Sequence, residues 1–255
     1  MRDTMPEASA RTQGGGPRIA FFGGSFDPPH LGHLAVARAA RTALALDTVL
    51  FAPVGAQPLK QHGSTASFED RVELTRLAIA AEPGFAVTLA DAPKPSGAPN
   101  YTIDTLLSLR AELPTDAVLF CLMGADAFFG LRQWHRSAEI PFVATLIVAS
   151  RPGQPLELVL SDLKAALPVG LMIEPTPVAD EFSSGVEVRR YLLKNPQGQK
   201  TGLYLLPGLD VEISASQVRD QIRQELRAVE DAFTVKHQLL PQAVIEAIRA
   251  RGLYR

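Results

Sequence analysis

Two histidines three residues apart, His30 and His33, follow two glycines and two prolines in the stretch GGSFDPPHLGH, residues 23–33. The apolar run RIAFFG precedes it and a run with helical spacing follows, so the histidines fall where a strand gives way to a helix starting near His30 or Leu31. Residues three apart are neighbours on one helical face, which aims both imidazoles at one place. The first turn of a helix presents unpaired N–H groups and the positive end of its dipole, and both favour a phosphate. Gly23 and Gly24 permit backbone angles closed to other residues and let a bulky group approach the main chain. Pro28 and Pro29 fix the turn, because the residue before a proline is pushed out of the α region. Each feature alone has a plainer reading: a Gly-Gly pair is often just a turn, and a lone histidine is usually a satisfied residue. A metal is not assigned, since a third ligand of suitable spacing is missing. Neither GxxxxGK[ST] nor GxGxxG occurs in the chain. Glycines, rigid turn and paired histidines together favour a phosphate site.

Such a junction needs a frame to hold it. Short apolar β-type runs recur at RIAFFG, TVLFAP, FAVTLA, AVLFCLMG, FVATLIVAS and LYLLP. Between most of them lie segments with helical spacing: LGHLAVARAARTALAL, FEDRVELTRLAIAA, YTIDTLLSLRAEL, SASQVRDQIRQEL and PQAVIEAIRARG. Continuous apolar strands alternating with amphipathic helices predict an α/β fold, a Rossmann-like doubly wound parallel sheet with helices on both faces. In such a sheet ligands bind beyond the carboxyl ends of the strands, where Gly23 and Gly24 fall. Residues 1–16, small, polar and glycine-rich, read as a disordered tail, and residues 17–255 as a single domain with a possible insertion at about 153–201.

GGSFDPPHLGH resembles the signature of the nucleotidyltransferases that carry an HxGH motif, and ISASQVR, from Ile213 to Arg219, resembles their second motif with Ser216 where threonine is usual. PNYTIDTL, GADAFFGLRQWH, ASRPG and the final RGLYR are similar to blocks of the bacterial nicotinate-mononucleotide adenylyltransferase family. That resemblance implies transfer of the adenylyl group of ATP to nicotinate mononucleotide, with release of pyrophosphate, in NAD biosynthesis. It implies His33 on the transferred phosphate, His30 on the phosphate chain, and Lys60, Ser216 and Arg219 on the leaving pyrophosphate. Gly23, Gly24, Ser25 and Phe26 would contact the nucleotide through their backbone, joined by Gly124, Ile213 and Ser214. Asp126 would meet a ribose hydroxyl or order its loop. Tyr101, Thr102, Trp134 and His135 would surround the nicotinate ring, with backbone N–H groups on its carboxylate, and Mg²⁺ would arrive bound to ATP. From the residues alone, Ser214 and Ser216 read equally as helix caps, Lys60 as a surface lysine and Trp134 as a core aromatic.

Composition narrows the alternatives. The 255 residues are 46% hydrophobic and 20% charged with a formal net charge of −2, which gives no general pull toward nucleic acid or an anionic membrane. No apolar run approaches the roughly 20 residues of a membrane span, and no secretory signal is seen, so a cytoplasmic location is expected. The single cysteine, Cys121, lies in an apolar run and reads as a buried, inert thiol. Rival readings are another adenylyltransferase of the superfamily, acting on nicotinamide mononucleotide or phosphopantetheine, and a nucleotide sensor without turnover. A class I aminoacyl-tRNA synthetase would need a lysine-rich KMSKS-type loop, which is absent. The sequence leaves the oligomeric state undetermined.

Overall fold

The computed structural model describes residues 15–58, 63–150, 156–175, 188–206, 213, 215–227 and 239–255. Residues 1–14 of the expected tail lie outside these, as do Lys60 and Ser214 and part of the 153–201 segment. In chain order the first half comprises β1 (Arg18–Gly24), α1 (Leu31–Ala43), β2 (Thr48–Pro53), α2 (Phe68–Ile79), β3 (Phe85–Val87), α3 (Thr102–Glu112) and β4 (Val118–Gly124). The second half comprises α4 (Ala125–Phe129), α5 (Ile140–Val143), β5 (Thr145–Ala149), α6 (Leu156–Ala166), β6 (Met172–Pro175), β7 (Arg189–Lys194), β8 (Lys200–Leu206), α7 (Ala215–Arg227) and α8 (Gln242–Arg251).

The strands form one eight-stranded sheet in the order β3-β2-β1-β4-β5-β8-β7-β6. β1 lies between β2 and β4, parallel to both, so the direction of winding reverses beside it and opens a crevice at the carboxyl ends of β1 and β4. Successive residues of β1 serve opposite faces. Ile19 and Phe21 join the core beneath α3, α5 and α6, whereas Ala20 and Phe22 join the core beneath α1, α2, α7 and α8. Both sets are buried, which is why the strand reads as a continuous apolar run. α1 buries Leu34, Ala37, Ala40 and Ala43, and these small side chains let the helix lie close on the sheet. Ser67 caps α2 by accepting the Asp70 N–H at 3.0 Å, with Glu69 and Asp70 at the positive end of the helix dipole.

The frame departs from the sequence pattern in three places. FAVTLA is a strand only over Phe85–Val87, because a turn closed by Ala92 N–H on the Leu89 carbonyl carries the chain toward the crevice. Phe142 and Val143 belong to α5, where Pro141 suits a first helical turn, so β5 starts at Thr145. The described part of 153–201 forms α6, β6 and β7 and extends the same sheet. Here the sheet turns antiparallel, β7 pairing with both β8 and β6. A tight connection allows it: Asn195 Oδ1 accepts the Gln199 N–H at 2.9 Å, and Gly198 takes the left-handed conformation at φ 82°.

Candidate active site

A cavity of about 660 Å³ opens at the carboxyl ends of β1 and β4. Gly23, Gly24, Gly124, Asp126, Tyr101, Thr102, Trp134 and His135, all proposed from the sequence, line it together. Cys121 and Met123 belong to its lining from β4, and burial pushes the Cys121 thiol up to about 12. Gly124 precedes α4 and a Cβ there would meet only open space, whereas one at Gly24 would stand 3.2 Å from the Phe26 ring. Neither Gly23 nor Gly24 has a positive φ. Close packing and the approach to the cavity, rather than unusual backbone angles, explain the glycine pair. The left-handed residue of the loop is Phe26, at φ 46°, whose buried ring packs edge-on against Phe22.

The far wall is aromatic. Thr102 opens α3 and Tyr101 precedes it in extended conformation; the Tyr101 and His135 rings lie 4.4 Å apart and tilted by 34°, and Lys94 Nζ stands 5.8 Å over the Tyr101 ring. Trp134 packs on the core and also lines the cavity. Arg132 turns elsewhere, its Nε donating to the Leu167 carbonyl at 2.7 Å.

His30 and His33 are not in the cavity lining. They form a second group at the start of α1, in chain continuity with Gly23 and Gly24. Their rings stack with centroids 3.6 Å apart, and the His30 N–H donates to His33 Nδ1 at 3.1 Å. That bond leaves Nε2 of a neutral His33 as the protonated nitrogen, hence a donor. Burial lowers His30 to about 4; burial and then the His30 charge hold His33 well below the usual imidazole range. Both rings are neutral donors at neutral pH. His30 Nδ1 is buried without a hydrogen-bond partner among the described residues. A Cβ on Gly32 would lie 3.0 Å from that nitrogen and 3.6 Å from Ile213 Cβ, so glycine between the histidines brings the second motif against the first. Arg219 Nη1 donates to the Asp27 carbonyl at 2.7 Å and Nη2 to Ser216 Oγ at 3.3 Å. Ser25 lies outside the cavity lining, with its Oγ 3.3 Å from Gln57 Oε1.

Several site residues carried no separate assignment in the sequence. Asp91, turned inward after β3, is buried in the cavity wall; burial raises its carboxyl, opposed by a 2.7 Å bond from Thr105 Oγ1. Asn100, inside the PNYT block, also lines the cavity, and its Oδ1 accepts the Ala56 N–H at 3.0 Å. Arg71 is 2% exposed and ties the glycine loop to the end of β2 by donating to the carbonyls of Ser25 at 2.7 Å and Val54 at 2.8 Å. Its signal was faint: one arginine on the inward face of an amphipathic helix. Among the described residues no helix is long and apolar enough to cross a membrane.

Residues 21–221 match the profile of the cytidylyltransferase-like family, so fold and site belong to the nucleotidyltransferase class. The chain is 36% identical to a Gloeobacter violaceus protein named "Probable nicotinate-nucleotide adenylyltransferase", over 94% of this chain and 97% of the relative. A Thermus thermophilus protein of the same name is 42% identical over 69% of this chain and 86% of its own length. The chain belongs to the nicotinate-nucleotide adenylyltransferase family. Its fold is similar to that of Plasmodium falciparum nicotinic acid mononucleotide adenylyltransferase complexed with NaAD, with a TM-score of 0.61 at 16% identity, covering 93% of this chain and 97% of the other.

Proposed function

We propose that this enzyme transfers the adenylyl group of ATP to nicotinate mononucleotide, giving nicotinate adenine dinucleotide and pyrophosphate in cytoplasmic NAD biosynthesis. The observation that carries this reading is the continuity of the two groups of residues. Gly23 and Gly24 line the cavity and lead within the same loop to the stacked histidines. A mononucleotide with its ring on the aromatic wall directs its 5′-phosphate toward the glycines. That phosphate oxygen attacks the α-phosphorus of ATP, the bond to the β-phosphate oxygen breaks, and pyrophosphate leaves. The substrate supplies its own nucleophile, so the protein's work is positioning and neutralising charge.

His33 donates through Nε2 to the transferred phosphate, and His30 serves the phosphate chain. An anion against the rings raises their proton affinity, which turns neutral donors into stronger charged ones. Arg219 and Ser216, with Lys60 from outside the described residues, hold the pyrophosphate; Gly124 and Ser214 meet the nucleotide, and Ile213 keeps that motif against α1. Ser25 and Phe26 meet the nucleotide through backbone. Asp126 meets a ribose hydroxyl. The carboxylate of the nicotinate accepts N–H groups near Tyr101–Thr102 and Trp134–His135, while the ring stacks on Trp134. The ATP substrate would bring Mg²⁺ with it, and the ion would offset charge on the phosphates.

The test is pyrophosphate release from ATP with nicotinate mononucleotide, nicotinamide mononucleotide and phosphopantetheine offered separately. Release is expected with the first at far the highest kcat/KM. Preference for phosphopantetheine, or ATP binding without release on any of them, would overturn the reading.

A further inference from the structure

Asp27, inside the first motif, is 3% exposed, and its carboxylate gathers donors from remote parts of the chain. Oδ2 accepts the Thr65 N–H at 2.6 Å; Oδ1 accepts the Ala66 N–H at 3.1 Å and the Tyr254 hydroxyl at 2.9 Å. Arg219 Nη1, which donates to the Asp27 carbonyl, stands 3.9 Å from Oδ2, an ionic distance without a hydrogen bond. Tyr254 is 5% exposed and holds a left-handed backbone at φ 65°. For a bulky residue that conformation is strained, and it persists where surrounding contacts enforce it. Those contacts are the bond to Asp27 and, just before it, the Arg251–Asp70 ion pair at 2.9 Å that fastens α8 to α2.

We propose that Tyr254 is a positioning residue for Arg219: by holding Asp27 through Oδ1, it sets the orientation in which Asp27 presents the guanidinium to the ATP phosphates. This rests on the reading of Arg219 as a phosphate ligand. Two donors on Oδ1 and one on Oδ2 hold the carboxylate in one orientation, so Oδ2 stays beyond hydrogen-bond reach and the Arg219 fork keeps donors for an incoming phosphate. Without the hydroxyl, Oδ1 retains, among the described residues, only the Ala66 N–H, the longest of the three bonds at 3.1 Å. The carboxylate then turns toward Arg219 and competes with ATP.

Steady-state kinetics of Tyr254→Phe, in the wild-type chain and in Arg219→Ala, test this, varying ATP and nicotinate mononucleotide separately and recording Tm for each variant. Loss of one hydrogen bond to a charged acceptor predicts a rise in KM for ATP of about 5–10-fold, with KM for the mononucleotide within about twofold. In Arg219→Ala the same substitution should change neither constant by more than about twofold. An equal rise in both constants, or the same ATP effect with and without Arg219, would show that Tyr254 only stabilises the fold. Wild-type use of ATP by Arg219→Ala alone would sink the reading of Arg219 itself, and the inference with it. Should Tyr254→Phe fail to fold alone, it is assayed in Asp27→Asn against Asp27→Asn itself. The amide lacks the charge that competes with ATP, so the added Tyr254→Phe should move KM for ATP by less than about twofold, and a rise of about 5–10-fold there would overturn the proposal.

Discussion

The phosphate end of the site and its aromatic wall are built by opposite means. At the phosphate end, eleven consecutive residues carry the glycines, the buried Asp27 and both histidines, and distant segments only brace them. The aromatic wall has no such local unit: Tyr101 and His135 come from separate loops and meet through a tilted ring contact at a half-exposed rim. A buried, hydrogen-bonded turn tolerates little displacement, which suits a step whose rate depends on donor geometry in the transition state. Stacking on an open wall tolerates more and suits substrate choice.

The largest effect should therefore come from the turn. In the role proposed for it His33 donates to the reacting phosphate, and losing one such donor costs roughly 10²–10³ in rate, which makes His33→Ala the test. Turnover is expected to fall by that factor with far-ultraviolet circular dichroism unchanged. A folded variant with near wild-type kcat would equalise the two regions and remove His33 from the chemistry.

The turn should also register acid. His30 is held at about 4 by burial, against about 6.5 in the unfolded chain, so the folded state refuses a proton that the unfolded state accepts. The stability that this neutral ring allows is complete above pH 6.5 and is lost as pH falls toward 4, by about 3 kcal/mol across the whole interval. Denaturant titrations at stepped pH should show a steeper acid loss for the wild type than for His30→Gln. Parallel pH curves for the two proteins would mean that burial of this ring carries no proton linkage.

The wall should give a smaller response. Trp134→Ala is expected to raise KM for nicotinate mononucleotide about tenfold through lost stacking, with KM for ATP unchanged. A larger fall in kcat than rise in KM would mean that the wall orients the reacting phosphate and would blur the contrast with the turn.

Legibility in the sequence follows the same divide. Continuous apolar runs are what buried parallel strands require, so β1, β2, β4 and β5 stand out, as does the strand-to-helix junction that holds both histidines. Residues 172–194 did not, because β6 and β7 form an antiparallel edge whose residues are only partly buried. Long-range polar contacts left no local pattern either. Asp27, Asn100 and Tyr254 lie inside quoted blocks without an assigned task, since partners as far as 227 residues away give them one. Arg71 and Asp91 were missed for the same reason: a buried charge becomes meaningful only with its acceptors in view.

The smallest expected effect concerns the origin of the preference for an acid. The nicotinate carboxylate is a charged acceptor, and bonds to charged acceptors are about twice as strong as neutral ones, whereas an amide turns NH₂ toward the same donors. A site built for one group rejects an analogue that leaves its polar groups unpaired, so a preference of roughly 10²–10⁴ in kcat/KM for the nicotinate mononucleotide is expected. Arg136 adjoins His135 but is paired with Glu139 at 2.7 Å, whereas Arg132, two residues before Trp134, offers a competing explanation through its charge. Its guanidinium instead reaches the Leu167 carbonyl, away from the cavity lining. Arg132→Ala should therefore change the ratio of kcat/KM for the two mononucleotides by less than about twofold, the scale expected for a residue that shares no partner with the ligand. A preference that collapses in this variant would transfer acid recognition from backbone N–H groups at Tyr101–Thr102 and Trp134–His135 to a side chain that must swing inward on binding. The wall would then be the mobile half of the site and the turn its fixed half.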